Sequence, residues 1–190
     1  DFTLSSSEIR RVVGSADPHV TFLTSPNNPT GLVEPAVLIT ELLDQTSGLV
    51  VADEAYAQFA DWSALSMLDE SRPLAVTRTF SKIFGMGGAR LGWAYCPPVI
   101  ADVLNRVRNP FNVTTAAQAA GVAALGDVAF MERARAHNTH WRNWFSAQAR
   151  ALGLEVPDSV CNFVLVRFPA EAGRDAEAAD AFLRSKGIIA

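Results

Sequence analysis

The run Gly48-Leu49-Val50-Val51-Ala52, closed by Asp53-Glu54, constrains this chain more than any other feature. It is short, has no polar alternation, and stops at two carboxylates. A strand with no polar position has no solvent face, so it belongs inside a sheet covered on both sides. Two similar runs accompany it. Residues 19–24 are rich in β-branched side chains and end at the turn cluster Ser25-Pro26-Asn27-Asn28-Pro29-Thr30-Gly31. Leu74–Thr79 leads into the glycine-rich stretch 81–88, and a further strand is expected over 90–95.

Between these runs the spacing turns helical. Ser5-Ser6-Ser7-Glu8 has the capping-box pattern and opens a helix expected to end near Gly14. Residues 35–46 have helical periodicity with a proline at their start. Past Pro97, residues 98–108, 115–125 and Val128–Ala151 read as helices, followed by a strand over 163–168 and a last helix over 176–186. Strands alternating with helices give an α/β fold around a buried parallel or mixed sheet. The change of character past the strands divides the chain into a sheet domain, residues 1–125, and the start of a smaller α+β domain, residues 126–190. The absence of an initiator Met and the apolar end Gly187-Ile188-Ile189-Ala190 lead us to expect a segment of a longer chain.

Composition removes several function classes. Half of the 190 residues are apolar (49%) and 19% are charged, too apolar for disorder. No uncharged apolar run reaches the roughly 18 residues that span a bilayer, and the first residues have no signal-peptide pattern. A net charge of −4 with no basic block is a poor match to nucleic acid. Cys96 and Cys161 are isolated, which argues against a disulfide framework or a zinc site and for a reduced, cytoplasmic protein. Gly85-Met86-Gly87-Gly88-Ala89-Arg90 fails the dinucleotide pattern, because Arg90 stands where its last glycine belongs. His137 and His140 lie one helical turn apart without a third ligand, so a solvated helix face is the favoured reading.

Ligands of open α/β sheets bind beyond the carboxyl ends of the strands. Three polar clusters fall there: Asn28 with its neighbours, Asp53-Glu54-Ala55-Tyr56, and Thr79-Phe80-Ser81-Lys82, with Arg90 just past the glycines. Lys82 and Lys186 are the only lysines. The inventory is a carboxylate, a phenol, an amide, two hydroxyls, an amine and a guanidinium. Pyridoxal 5′-phosphate needs that whole set: a lysine for its aldehyde, an acid for its pyridine nitrogen, hydroxyls and arginine for its phosphate. Glu54 is left out, since neighbours on an extended strand point to opposite faces.

The motifs SPNNPTG, ADEAY and TFSK-IFGMGGAR-LG resemble those of the fold-type I, class I/II aminotransferases. The resemblance runs along the whole chain. It implies an α/β, three-layer fold, with a sheet domain and part of a smaller α+β C-terminal domain. It also implies that Lys82 forms the Schiff base and moves the proton between substrate and cofactor, and that Asp53 pairs with the pyridine nitrogen. Tyr56 and Asn28 would then bind the ring's 3′-oxygen, and Thr79, Ser81 and Arg90 the phosphate. Homodimers and small-molecule amino donors and acceptors are implied in the same way, with neither nucleic acid nor membrane as a partner. Tyr95-Cys96-Pro97-Pro98, Arg108 to Val113 and Asn162 to Phe168 are similar to the histidinol-phosphate aminotransferase subfamily, which implies histidinol phosphate and 2-oxoglutarate as substrates in histidine biosynthesis.

Other readings stay open at this level. The cofactor residues do not fix which bond breaks, so an aromatic aminotransferase or a threonine-phosphate decarboxylase shares them. A non-catalytic, aminotransferase-like sensing domain does too. Arg167, Asn162 and the pair Phe111-Asn112 have substrate-binding and plain packing readings, while Met86 reads as packing. The family's aromatic residue over the pyridine ring and its C-terminal substrate arginine have no match in these residues.

Overall fold

The computed structural model describes residues 3–189. Four strands form one sheet in the order β1 (Val20–Thr24), β2 (Leu49–Asp53), β3 (Leu74–Thr79), β4 (Gly92–Tyr95). The first three are parallel and β4 is antiparallel to β3, so the sheet is mixed. The register places Thr24, Asp53 and Thr77 side by side at one end of the parallel strands.

Side chains alternate across a sheet, and one set builds the core. Leu23, Val50, Ala52, Leu74 and Val76 pack against Ile9 and Val13 of α1 (Ser6–Ala16) and Leu38, Ile39 and Leu42 of α2 (Ala36–Gln45). The opposite set carries Asp53, Thr77 and Thr79, which therefore face away from both helices. The larger core thus sits on one side of the sheet, and Asp53, Thr77 and Thr79 share the other with buried Val51 and Ala75.

Capping residues set the helix starts. Ser5 accepts from the backbone N–H of Glu8 at 3.3 Å while the Glu8 carboxylate accepts from Ser5 N–H at 3.1 Å, the reciprocal arrangement that satisfies two orphan donors. Those bonds hold the Glu8 carboxyl below its ordinary pKa, the Ser5 hydroxyl contributing most. The helix passes through Gly14 and stops at Asp17, whose φ of 40° turns the chain left-handed. Burial of Val13 carries it past the glycine. The later helices are α3 (Pro98–Val107), α4 (Thr115–Gly126), α5 (Val128–Ala151) and α6 (Ala176–Ser185). Asp127 caps α5 and Asp175 caps α6.

Two expectations are corrected. The fourth strand starts at Gly92 rather than at residue 90, because Arg90 has φ 51°, which no strand accommodates. Residues 163–168 form no strand: Glu155 and Arg167 make one isolated antiparallel bridge. An apolar run becomes a strand only when a neighbour takes its N–H and C=O groups, and among the described residues 155 alone lies opposite. No helix among the described residues is long and apolar enough to cross a membrane.

Candidate active site

Asp53 ends β2 between Thr24 of β1 and Thr77 of β3. Its Oδ1 accepts from the backbone N–H of Ala55 at 3.2 Å and from Thr77 Oγ1 at 3.3 Å. Both bonds fall on one oxygen and fix the plane of the carboxylate. The other, Oδ2, has no hydrogen bond among the described residues, and the side chain is half-buried.

The chain turns immediately after Asp53 and buries Tyr56, leaving it 6% exposed. The phenolic oxygen accepts a hydrogen bond from Asn28 Nδ2 at 3.1 Å. Asn28 belongs to the turn after β1, which carries cis bonds at Ser25–Pro26 and Asn28–Pro29. Since the phenol oxygen is the acceptor in that bond, its own proton is free to be donated to a ligand. The Lys82 amine lies over the Tyr56 ring, 4.9 Å from its centroid, within the range of a cation–π contact.

Lys82 stands on the loop between β3 and β4. Buried Phe80 and Ile83 anchor that loop on either side of it, and Gly85 N–H closes a turn onto the Lys82 carbonyl at 2.9 Å. At the end of β3, Thr79 Oγ1 lies 3.0 Å from Ser81 Oγ and accepts from Ser81 N–H at 3.0 Å. Farther along, Arg90 adopts its left-handed conformation after the short 3-10 helix Gly87–Ala89, and its Nη1 donates to the Gly87 carbonyl at 2.8 Å. A non-glycine residue held at positive φ is a strained position of the kind that gathers at ligand sites. Arg90 is exposed, and its remaining guanidinium nitrogens have no partner among the described residues.

The fold therefore brings Asn28 and Lys82 each into contact with Tyr56 and sets Asp53 and Thr79 on one sheet face. Thr79 and Ser81 meet as a hydroxyl pair. Arg90 is joined to its own loop and makes no hydrogen bond to that pair. Glu54 faces the other way. It is 1% exposed, and its carboxylate accepts from Ser63 Oγ (2.7 Å), Ala64 N–H (2.5 Å), and Arg78 Nε (3.0 Å) and Nη2 (2.7 Å). The four residues left open in the sequence lie outside this group. Arg167 pairs with Glu155 at 3.2 Å on the surface, Asn162 is exposed, Phe111 is 99% exposed, and Asn112 accepts from Arg108 at 3.1 Å. His137 and His140 each lie against Trp141.

Sequence reasoning missed two contributors. Thr77 holds Asp53, and its position two residues before Thr79 on the same strand is a legible signal. Phe163 places its ring edge-on to Tyr56, with centroids 5.1 Å apart and planes at 84°; no local pattern signals that contact.

A free carboxylate oxygen, a donor phenol, an amine, paired hydroxyls and a guanidinium with nitrogens to spare, past the carboxyl ends of parallel strands, fit pyridoxal 5′-phosphate. Asp53 Oδ2 suits its basic ring nitrogen, and the hydroxyls and Arg90 suit its phosphate. This fold and donor set are those of a class, the pyridoxal-phosphate-binding domains built on a mixed α/β sheet. The model of the family "Aminotransferase class I and II" matches residues 1–190, and the chain belongs to that family. It is similar to the histidinol-phosphate aminotransferase of Paramagnetospirillum magneticum, 52% identical over 176 residues, which are 90% of this chain and 48% of that one. A Rhodospirillum centenum protein of the same name is 52% identical over 178 residues, with the same two shares. The solved histidinol-phosphate aminotransferase of Sinorhizobium meliloti, in complex with pyridoxal-5′-phosphate, superposes with a TM-score of 0.87 at 28% identity, over 100% of this chain and 53% of that one. The chain spans about half the length of the curated relatives it matches.

Proposed function

We propose that this chain provides the cofactor-binding face of a pyridoxal-phosphate-dependent histidinol-phosphate aminotransferase, passing an amino group between histidinol phosphate and 2-oxoglutarate in histidine biosynthesis. The observation that carries the chemistry is that Asn28 and Lys82 both meet Tyr56, three residues past Asp53, whose second carboxylate oxygen has no hydrogen bond among the described residues. The choice of substrate is supported by the 52% identity to proteins of that name. When bound, pyridoxal phosphate supplies an aldehyde that captures amines and a ring that draws electrons from the substrate Cα.

The residues then have distinct tasks. Lys82 Nζ would hold the aldehyde, and as a free amine it would accept a proton from the substrate Cα and return it. Asp53 Oδ2 would accept from the protonated ring nitrogen, and Thr77, bonded to Oδ1, fixes the plane of the carboxylate. Tyr56 would donate a hydrogen bond to the ring oxygen, because Asn28 occupies its acceptor side. Thr79, Ser81 and Arg90 would hold the phosphate with charge-assisted bonds, shorter and stronger than neutral ones. Residues 1–125 act as the cofactor domain and 126–190 as the start of a smaller domain. The complete protein works as a cytoplasmic homodimer on small molecules, with no role for nucleic acid or membrane.

Half-reaction absorbance spectra of the full-length holoprotein test this reading. Histidinol phosphate is expected to convert the bound cofactor to its amine form faster than phenylalanine or threonine phosphate does. Preference for phenylalanine, or release of carbon dioxide from threonine phosphate, would contradict the substrate assignment.

A further inference from the structure

Tyr56 is held from a direction that the catalytic motifs do not explain. Residues 159–163, more than a hundred positions away in sequence, form a strap whose course is fixed at each step. Val160 N–H donates to the Gly31 carbonyl at 3.0 Å. Gly31 has φ 75°, and a Cβ there would collide with Ser159, so only glycine lets the strap approach the Asn28 turn. Ser159 Oγ donates to the Phe163 carbonyl at 2.7 Å and accepts from Cys161 N–H at 3.1 Å. From α5, Asn138 Nδ2 donates to the Cys161 carbonyl at 3.1 Å and Arg142 Nη1 to the Val160 carbonyl at 2.5 Å. The strap delivers the Phe163 ring edge-on to Tyr56 within an apolar cluster of Tyr56, Phe59, Ile83 and Cys161.

We infer that Phe163 is a positioning residue for Tyr56: it fixes the phenol ring so that the hydroxyl meets both Asn28 and the cofactor's ring oxygen. The inference rests on the role given to Tyr56 above and adds to it. Tyr56 has Asn28 at its hydroxyl, Lys82 over one face and Phe163 at its ring. A hydrogen bond at the hydroxyl does not by itself stop the ring turning about its Cβ–Oη axis, and that turn swings the phenolic O–H, which lies in the ring plane. An edge-to-face aromatic contact has a preferred geometry as well as an apolar area, so it restrains the turn of the ring plane that an aliphatic neighbour would allow. The same contact ties the smaller-domain residues to the cofactor-binding face.

The full-length holoprotein provides a direct reading, the pH midpoint of the absorbance change of the lysine–cofactor linkage. A hydrogen bond from Tyr56 favours the form in which the ring oxygen carries negative charge, so weakening it raises the midpoint. Tyr56→Phe is expected to raise the midpoint by roughly 1 pH unit, and Phe163→Ala by roughly half as much. Phe163→Tyr keeps a ring edge in place and restores the original midpoint. Met131→Ala removes apolar volume from the same cluster but no ring edge from Tyr56, and leaves the midpoint unmoved. Phe163→Leu serves as a second variant, with the same expected direction, where Ala impairs folding. An unmoved midpoint in both Phe163 variants, alongside a shifted Tyr56→Phe, overturns this inference alone. A shift in Met131→Ala as large as that in Phe163→Ala also overturns it. An unmoved Tyr56→Phe overturns the role of Tyr56, and this inference with it.

Discussion

The Cys161 thiol is fully buried in the Tyr56 cluster. Burial pushes its pKa up to about 12, against the smaller opposing pull of Arg142 and Ser159. A thiol held protonated is a poor nucleophile, so iodoacetamide at pH 8 should modify half-buried Cys96 and spare Cys161 until the protein unfolds. Peptide mapping before and after denaturation checks this, and rapid labelling of Cys161 in the folded protein would contradict the packing described. The folded-state pKa is raised, so the native state keeps a proton that the unfolded chain loses. Stability is therefore expected to fall as pH rises from the ordinary thiol range toward about 12, and Cys161→Ala should flatten that decline. At this scale most of the candidate site could be read from the chain, because Asn28, Asp53, Tyr56, Thr79, Ser81, Lys82 and Arg90 sit in short polar clusters at the ends of apolar runs. Phe163 could not. It is one of 11 phenylalanines, and its meaning comes from a partner 107 positions away.

Among the elements, β2 and β3 bear the greatest demand for precise register, because adjacent side chains at their ends serve opposite faces. Asp53 faces the site while Glu54 enters a buried pair with Arg78, whose guanidinium also lies 5.6 Å from the Trp93 ring centroid. The pair ties β2, β3 and the loop at Ser63 together directly behind Asp53. Arg78→Met leaves the Glu54 carboxylate buried without its cation and is expected to lower unfolding free energy by about 3–5 kcal/mol. Adding Glu54→Gln should recover part of that loss, since the unpaired charge is then gone. Denaturant titration of the single and double variants measures both, and a double variant as unstable as the sum of the singles would contradict the coupling. The strands and helices near this pair were legible because apolar runs and caps are local signals. Residues 163–168 misled because strand formation is a property of two segments, and the run carries no record of whether a neighbour exists.

Across the whole molecule, the site is gathered from four separate stretches: the turn after β1, the end of β2 with Tyr56, the β3–β4 loop, and the strap at 159–163. None of them makes a binding site alone. The parallel register aligns the first three at one end of the sheet, and α5 holds the fourth against them through Asn138 and Arg142. This division of labour makes the covalent attachment of the cofactor the most direct probe of the assembly. Borohydride reduction of the full-length holoprotein, followed by peptide mass mapping, should place the reduced pyridoxyl group on Lys82 and on no other residue. The variant Lys82→Ala should carry none. A pyridoxyl group on a different lysine, or one retained in the Lys82→Ala variant, would contradict the site described here.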